Sequence, residues 1–212
     1  MNRVVVINGS PKRGSSTSGR LIGELERIMG RELEVHHALS LLVSEDDSYG
    51  SVLQADALVV VFPLYVDALP THLVRLFKKM EAAIQASEHK PRLYAVCVCG
   101  FIEGEHTKTA LRIMRNFADR AGLSWGYGVG VGGGGFVVEV KDMAKGPTSR
   151  VHRALCALAG EIEAPTSGAQ DDVFVQPSMP RIAYTLAANM GWRMTAKRNG
   201  AKDQLKQVYG RR

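Results

Sequence analysis

Cysteine is scarce in this chain, with three in 212 residues. None forms a CxxC pair, and no Cys/His cluster has the spacing that zinc or an iron–sulfur cluster requires. Cys97 and Cys99 alternate along a strand-like run and Cys156 falls in a helical stretch, so all three read as buried, reduced thiols. No apolar run is long enough to cross a bilayer. The first residues, MNRVVVINGS, hold only a short apolar stretch from Val4 to Ile7 with no cleavage-type site behind it. A cytoplasmic location is the expectation. Hydrolytic signatures are missing as well. The six histidines form no HExxH, and no GxSxG elbow occurs. The acidic pairs Asp46–Asp47 and Asp171–Asp172 lie in polar, loop-like stretches and read as solvated or capping residues.

What is present is the balance of a globular domain, 45% hydrophobic and 23% charged. The net charge of +6 is unevenly placed. Ser178 to Arg212 carry eight Lys/Arg and one Asp, while the remainder holds 19 basic and 20 acidic residues. The body is near neutral, so overall basicity gives no reason to expect nucleic-acid binding.

Hydrophobic periodicity alternates along the chain. Arg3 to Asn8, Ala57 to Phe62 and Leu93 to Cys99 are β-branched or apolar runs of the kind buried on both faces of a parallel sheet. Glu32 to His37 alternates more weakly, and Ser124 to Val131 is a strand interrupted by glycines. Helical spacing appears in Leu21, Leu25 and Ile28, and in Leu73, Phe77, Met80 and Ile84. It returns over roughly His106 to Gly122 and Thr148 to Glu163. Strands and helices in alternation predict an α/β fold, a doubly wound five-stranded parallel sheet with helices on both faces. Three segments follow: a domain over 1–163, a turn-rich linker over 164–180, and a basic arm over 181–212 in which Ile182, Leu186 and Met190 recur every four residues.

Ligands of such sheets bind at the carboxyl ends of the strands, beside the point where strand order reverses. The loop after the first strand, Asn8 to Thr17 (NGSPKRGSST), has the chemistry of a phosphate site. It leads into a helix N-terminus, which offers unpaired N–H groups and positive potential. Gly9 and Gly14 relax the turn, Ser10, Ser15, Ser16 and Thr17 add hydroxyls, and Lys12 and Arg13 add charge. Ser16 or Thr17 serves equally well as a plain N-cap. No GxxxxGK[ST] is present, which argues against a triphosphatase. A GxGxxG does occur at Gly130, Gly132 and Gly135, but it follows the fifth strand and FVVEV rather than a helix comes next. It reads as a flexible loop.

NGSPKRGSST, FPLYVDALPTHLVRLF from Phe62 to Phe77, and the stretch from Cys99 through the glycine run together resemble the flavodoxin-like NAD(P)H-dependent FMN reductase and iron–sulfur flavoprotein family. The arm, too, is similar to an extension seen in some members. The resemblance implies a sheet of order 2-1-3-4-5 and a bound FMN. Ser10, Lys12, Ser15, Ser16 and Thr17 would meet its phosphate. Lys12 stands where the family has arginine, so a point charge replaces a bidentate fork. Pro63, Leu64, Tyr65, Val66 and Asp67 would line the ring, with Gly100, Phe101 and Glu105 as a third wall. The family's cysteine cluster is absent from this sequence, so no cluster is expected.

Independently of the resemblance, Tyr65 after Pro63 and Leu64 makes a platform for a flat ring, or else packs as core where Pro70 opens the next helix at its first position. The function implied is hydride transfer from NAD(P)H, as co-substrate, to FMN and on to a small acceptor such as free flavin or a quinone. No catalytic side chain and no metal are expected. The alternative is a flavodoxin-type electron carrier, which a near-neutral body and a basic arm disfavour. The arm is expected to pack on a neighbouring subunit in a homodimer or homotetramer; contact with a membrane surface is the less favoured reading.

Overall fold

The computed structural model describes residues 2–44, 49–168 and 170–206. Asp46 and Asp47, together with Tyr209, Arg211 and Arg212 of the arm, lie outside the described residues. The chain divides into two units, Met1–Ser178 and Met179–Arg212.

The first unit is organised by β1 (Val4–Asn8), in which every residue is buried. An all-apolar strand of this kind needs cover on both faces, which only the interior of a parallel α/β sheet provides. Five further strands complete a parallel sheet in the order β2-β1-β3-β4-β5-β6. They are β2 (Glu34–His37), β3 (Ala57–Pro63), β4 (Arg92–Val98), β5 (Trp125–Val131) and β6 (Val173–Val175). The helices between them are α1 (Thr17–Met29), α2 (Ala38–Val43), α3 (Gly50–Leu53), α4 (Thr71–Ala86), α5 (Lys108–Ala121), α6 (Gly134–Glu139) and α7 (Ser149–Glu163).

Alternation along each strand divides the core between the faces. Val5, Ile7, Leu58, Val60 and Phe62 pack with Leu73, Phe77, Met80 of α4 and Leu111, Met114 of α5 on one face. Val4, Val6, Val59 and Val61 pack with Leu21, Leu25 of α1 and Val151, Leu155, Leu158 of α7 on the other.

The sixth strand lies inside the segment expected to be a linker. One half-buried and one buried carboxylate explain it. Asp172 accepts from Gly128 N–H (2.8 Å), Trp125 Nε1 (3.2 Å) and Arg115 Nη2 (3.3 Å). Glu161 accepts from Thr166 N–H (3.0 Å) and Gln170 Nε2 (2.7 Å). With the chain before it anchored to the body in this way, Val173–Val175 pairs with Val129–Val131.

Two other expectations are corrected. Cys97 and Cys99 are buried, but Cys156 is exposed, because it faces outward from α7. The glycine run is also no flexible loop. A Cβ on Gly132 would run into the Ile102 carbonyl, so glycine allows the end of β5 to lie against the loop after β4. A helix, α6, then follows from Gly134.

In the second unit, α8 (Arg181–Arg198) is helical as expected and buries none of its residues. Its side chains do not segregate into an apolar and a basic face. At 100° per residue, Arg193 and Lys197 fall on the line of Ile182, Leu186 and Met190, whereas Trp192 lies away from it. No helix among the described residues is long and apolar enough to cross a membrane.

Candidate functional site

Strand order reverses at β1, which has β2 on one side and β3 on the other. The register leaves a step there. Asn8, the last residue of β1, pairs with Val61, while β3 continues to Pro63 and pairs with Val98 of β4. The loop after β1 settles onto this step, and the loops after β3 and β4 rise beside it.

The first loop is shaped by its own side chains. Ser10 N–H donates to Asn8 Oδ1 (3.0 Å), and Lys12 N–H donates to Ser10 Oγ (3.2 Å). Asn8 and Ser10 are both 5% exposed, so these two polar side chains are committed to the turn. Gly9 donates to the Val61 carbonyl (2.8 Å) and approaches β3 so closely that a Cβ would lie 2.7 Å from Phe62 Cβ. Contact, not an unusual dihedral, requires glycine there; neither Gly9 nor Gly14 has positive φ. Ser16 is the N-cap of α1, its Oγ accepting from Gly19 N–H at 3.1 Å. Beyond these bonds, the N–H groups of Arg13, Gly14, Ser15, Ser16 and Thr17 meet no acceptor among the described residues. Lys12, Arg13 and Ser15 are exposed and Thr17 is half-buried beside them. The arrangement is a run of donors and two cations at the positive end of a helix.

Sequence reasoning missed His72, on the first turn of α4. Its Nε2 donates to the Gly9 carbonyl at 3.0 Å, tying the start of α4 to the first loop. Burial pushes its imidazole below the usual value, against the smaller opposing effect of that bond. The only signal available was a histidine two residues after Pro70, which carries no motif.

The second loop is a two-residue hairpin. Tyr65 and Ala68 exchange both backbone hydrogen bonds at 3.0 Å, and Leu64 N–H donates to the Val98 carbonyl at 2.8 Å. Its central residues, Val66 and Asp67, have φ of 49° and 57°. Positive φ at both positions is the requirement of a type I′ turn, normally met by Asn-Gly. A β-branched residue there is strained, by ~1–3 kcal/mol. Val66 is 99% exposed, so packing of its side chain does not compensate. Tyr65 is 46% exposed and Leu64 half-buried against the core. Tyr65 is therefore not core. Pro70 sits as N-cap of α4, one position before its expected place, because its ψ of 138° is extended.

The third loop is stitched to the end of β5. Cys99 N–H donates to the Val131 carbonyl (2.9 Å), Gly134 N–H to the Cys99 carbonyl (2.8 Å) and Gly133 N–H to the Phe101 carbonyl (2.6 Å). Gly100 is exposed, and Phe101, 57% exposed, lies with its ring 4.5 Å from that of His106. Glu103 approaches His106 Nε2 at 3.7 Å, and Glu105 is exposed. Burial pushes the Cys99 and Cys97 thiols up, which keeps them protonated at this edge. All twelve residues of the expected site thus lie at one edge of the sheet, ten of them on the three loops, with Pro63 ending β3 and Thr17 opening α1. Among the described residues no group of His, Cys, Asp and Glu is placed to hold a metal ion.

Neither a family model nor a curated protein sequence matches this chain. Solved structures do. An NADH:FMN oxidoreductase in its apo form superposes with a TM-score of 0.56 at 17% identity, covering 86% of this chain and 98% of that one. A flavodoxin, WrbA-like protein from Agrobacterium tumefaciens gives a TM-score of 0.53 at 10% identity, covering 78% and 100%. The rubredoxin oxygen:oxidoreductase of Desulfovibrio gigas gives 0.52 at 15% identity; the match covers 76% of this chain but only 35% of that longer one. The likeness establishes the fold: this chain has the flavodoxin-like architecture, a doubly wound parallel sheet with one strand added at the β5 edge.

Proposed function

We infer that the protein is an FMN-dependent oxidoreductase that draws hydride from NADH or NADPH and passes electrons to a small acceptor such as free flavin or a quinone. The observation that carries this reading is the run of unpartnered N–H groups from Arg13 to Thr17 at the N-terminus of α1, beside a strained hairpin that holds Tyr65 at the surface. A dianionic phosphate fits the first and a flat ring fits the second. A structural neighbour whose name specifies NADH and FMN supports the choice.

Bound FMN would supply the redox chemistry, accepting hydride and releasing electrons. The chain's own contributions are positional. Backbone donors of Arg13 to Thr17, with the hydroxyls of Ser15 and Thr17 and the charges of Lys12 and Arg13, would hold the phosphate. Ser10 supports the turn and keeps its hydroxyl hydrogen available, as does Ser16. Pro63 to Asp67 would border the ring, and Gly100 and Phe101 would form its third wall, Phe101 shielding it from water. No side chain is needed as acid or base.

Steady-state oxidation of NADH and of NADPH, with free FMN or a quinone as acceptor, tests the activity. Turnover with at least one nicotinamide is expected, and none with either defeats the reductase reading in favour of an electron carrier. Joint replacement of Ser10 and Thr17 by alanine should weaken FMN binding about tenfold or more, from the loss of two hydrogen bonds to a charged group; unaltered affinity would mean that the phosphate lies elsewhere.

The arm has a separate reading. Ile182, Leu186, Met190 and Trp192 are each more than 60% exposed, which suits packing on a second copy of the chain. Deleting the residues after Pro180 should then lower the mass seen by light scattering.

A further inference from the structure

Away from the three loops, α1 and α7 bring together a nucleophile, a base and a carboxylate. Cys156 Sγ lies 3.4 Å from His152 Nε2, one helical turn earlier on α7. His152 Nδ1 lies 2.8 Å from Glu24 Oε1, across the interface on α1. The Glu24 side chain is 1% exposed and that of His152 17%, whereas Cys156 is open to solvent.

The chemistry of each partner orients the chain of bonds. Burial alone would raise the Glu24 carboxyl, but hydrogen bonds from Arg27 and His152 hold it below its usual range, so it is an ionised acceptor. An ionised carboxylate only accepts, and His152 Nδ1 must therefore carry a hydrogen. Neutral His152 then presents Nε2 as the acceptor, aimed at the Cys156 thiol. Arg27 donates to Glu24 at 2.7 Å and lies 3.4 Å from His152 Nδ1, and Arg20 stands 3.6 Å from Glu24. These cations keep the carboxylate charged, and the Arg27 guanidinium also lies close enough to interact electrostatically with Cys156. A nucleophile within reach of a base that a third group orients is the arrangement of activated thiols, found where a cysteine is accessible and its surroundings are positive. Cys97 and Cys99 share neither feature.

We propose that Cys156, His152 and Glu24 form a thiol relay that makes Cys156 a site of reversible S-thiolation by low-molecular-weight disulfides. The Cys156 proton passes to His152 Nε2, the thiolate attacks one sulfur of the disulfide, and the S–S bond breaks as the new one forms. The expelled thiolate takes the proton back from His152. Cys156 is oxidised to a mixed disulfide, one sulfur of the reagent is reduced to a thiol, and no other oxidant is consumed. Arg27 and Glu24 fix the imidazole but do not touch the reacting sulfurs. Glu24 is seven residues along α1 from Thr17, about 10 Å, so the relay is a site of its own on the helical face and does not depend on the flavin reading.

The test treats the folded, full-length protein with dipyridyl disulfide at neutral pH, follows pyridinethione release, and locates the adduct by peptide mass. A single adduct at Cys156 is expected, removed by a dithiol and absent from Cys156→Ser. It should form about tenfold or more faster than at Cys156 in the urea-unfolded chain, and His152→Gln should slow it by a similar factor. A rate no faster than in the unfolded chain overturns the proposal. So does a His152→Gln protein with unchanged circular dichroism and unchanged rate, or an adduct that forms first at Cys97 or Cys99. Should His152→Gln fail to fold, the folded-against-unfolded comparison on the parent chain still decides.

Discussion

His72 Nε2 donates to the Gly9 carbonyl at 3.0 Å, and this bond joins the helix that follows the second loop to the turn that opens the first. Because the bond uses Nε2–H, any added proton goes to Nδ1 and the bond itself survives protonation. Acid therefore acts on this residue through the burial of charge, not through loss of the link.

The sign of that effect is fixed by the direction of the shift. The folded-state pKa of His72 lies below its ordinary 6.5, so the unfolded chain binds the proton more readily. Stability from this residue is complete above about pH 6.5 and falls as the pH drops from there through the folded-state value. Urea unfolding of the parent and of His72→Gln at mildly acid and at neutral pH should show the larger acid loss in the parent. Equal losses would place His72 outside the linkage.

Val66 predicts a gain. Replacing it by asparagine removes a β-branched side chain from φ of 49° without removing packing, since the residue is 99% exposed. Val66→Asn should raise stability by about 1 kcal/mol, read as a higher Tm. A lower Tm would show that the turn is held by something other than its own dihedrals.

Gly9→Ala should do the reverse. The new methyl meets Phe62 Cβ at 2.7 Å and Leu73 Cδ2 at 3.0 Å, both in the core, so either β3 or the loop must shift. A loss of about 1–3 kcal/mol in chemical denaturation is expected. FMN affinity should fall with it, because the donors of Arg13 to Thr17 move with Gly9.

Asp172→Ala removes the acceptor shared by Gly128 N–H, Trp125 Nε1 and Arg115 Nη2. Partly buried donors left without a partner cost about 1–3 kcal/mol. The loss should be local to β6. Hydrogen exchange should quicken at Gly132 N–H, which donates to the Val175 carbonyl, while the amides of β1 and β3 stay protected.

Much of this molecule is written in local pattern. Runs such as Val4–Ile7 and Leu58–Phe62 have no polar side to turn to water, so they commit the chain to a parallel sheet covered on both faces. The spacing of Leu73, Phe77, Met80 and Ile84 commits the next segment to a helix on that sheet. The loop from Asn8 to Thr17 carries its chemistry in residue types, and so its character is legible before any fold is known.

What the sequence left open is which particular side chains and backbone groups meet, many of them far apart in the chain. The glycines from Gly130 to Gly132 read as a flexible loop because a one-dimensional pattern does not show what occupies the space beside them; Thr107, Phe174 and the Ile102 carbonyl do. A linker became β6 because Asp172 and Glu161, acidic residues of ordinary solvated appearance, meet donors some 5 to 57 positions away. Ser16 is settled as an N-cap by a bond to Gly19 N–H, which its residue type allowed but did not require. His72 above Gly9, and Cys156 in line with His152 and Glu24, have no motif at all. Short-range periodicity determines which elements form, because burial on a helix or strand follows from spacing alone. Which side chains meet across those elements is decided only when the sheet closes and its helices dock.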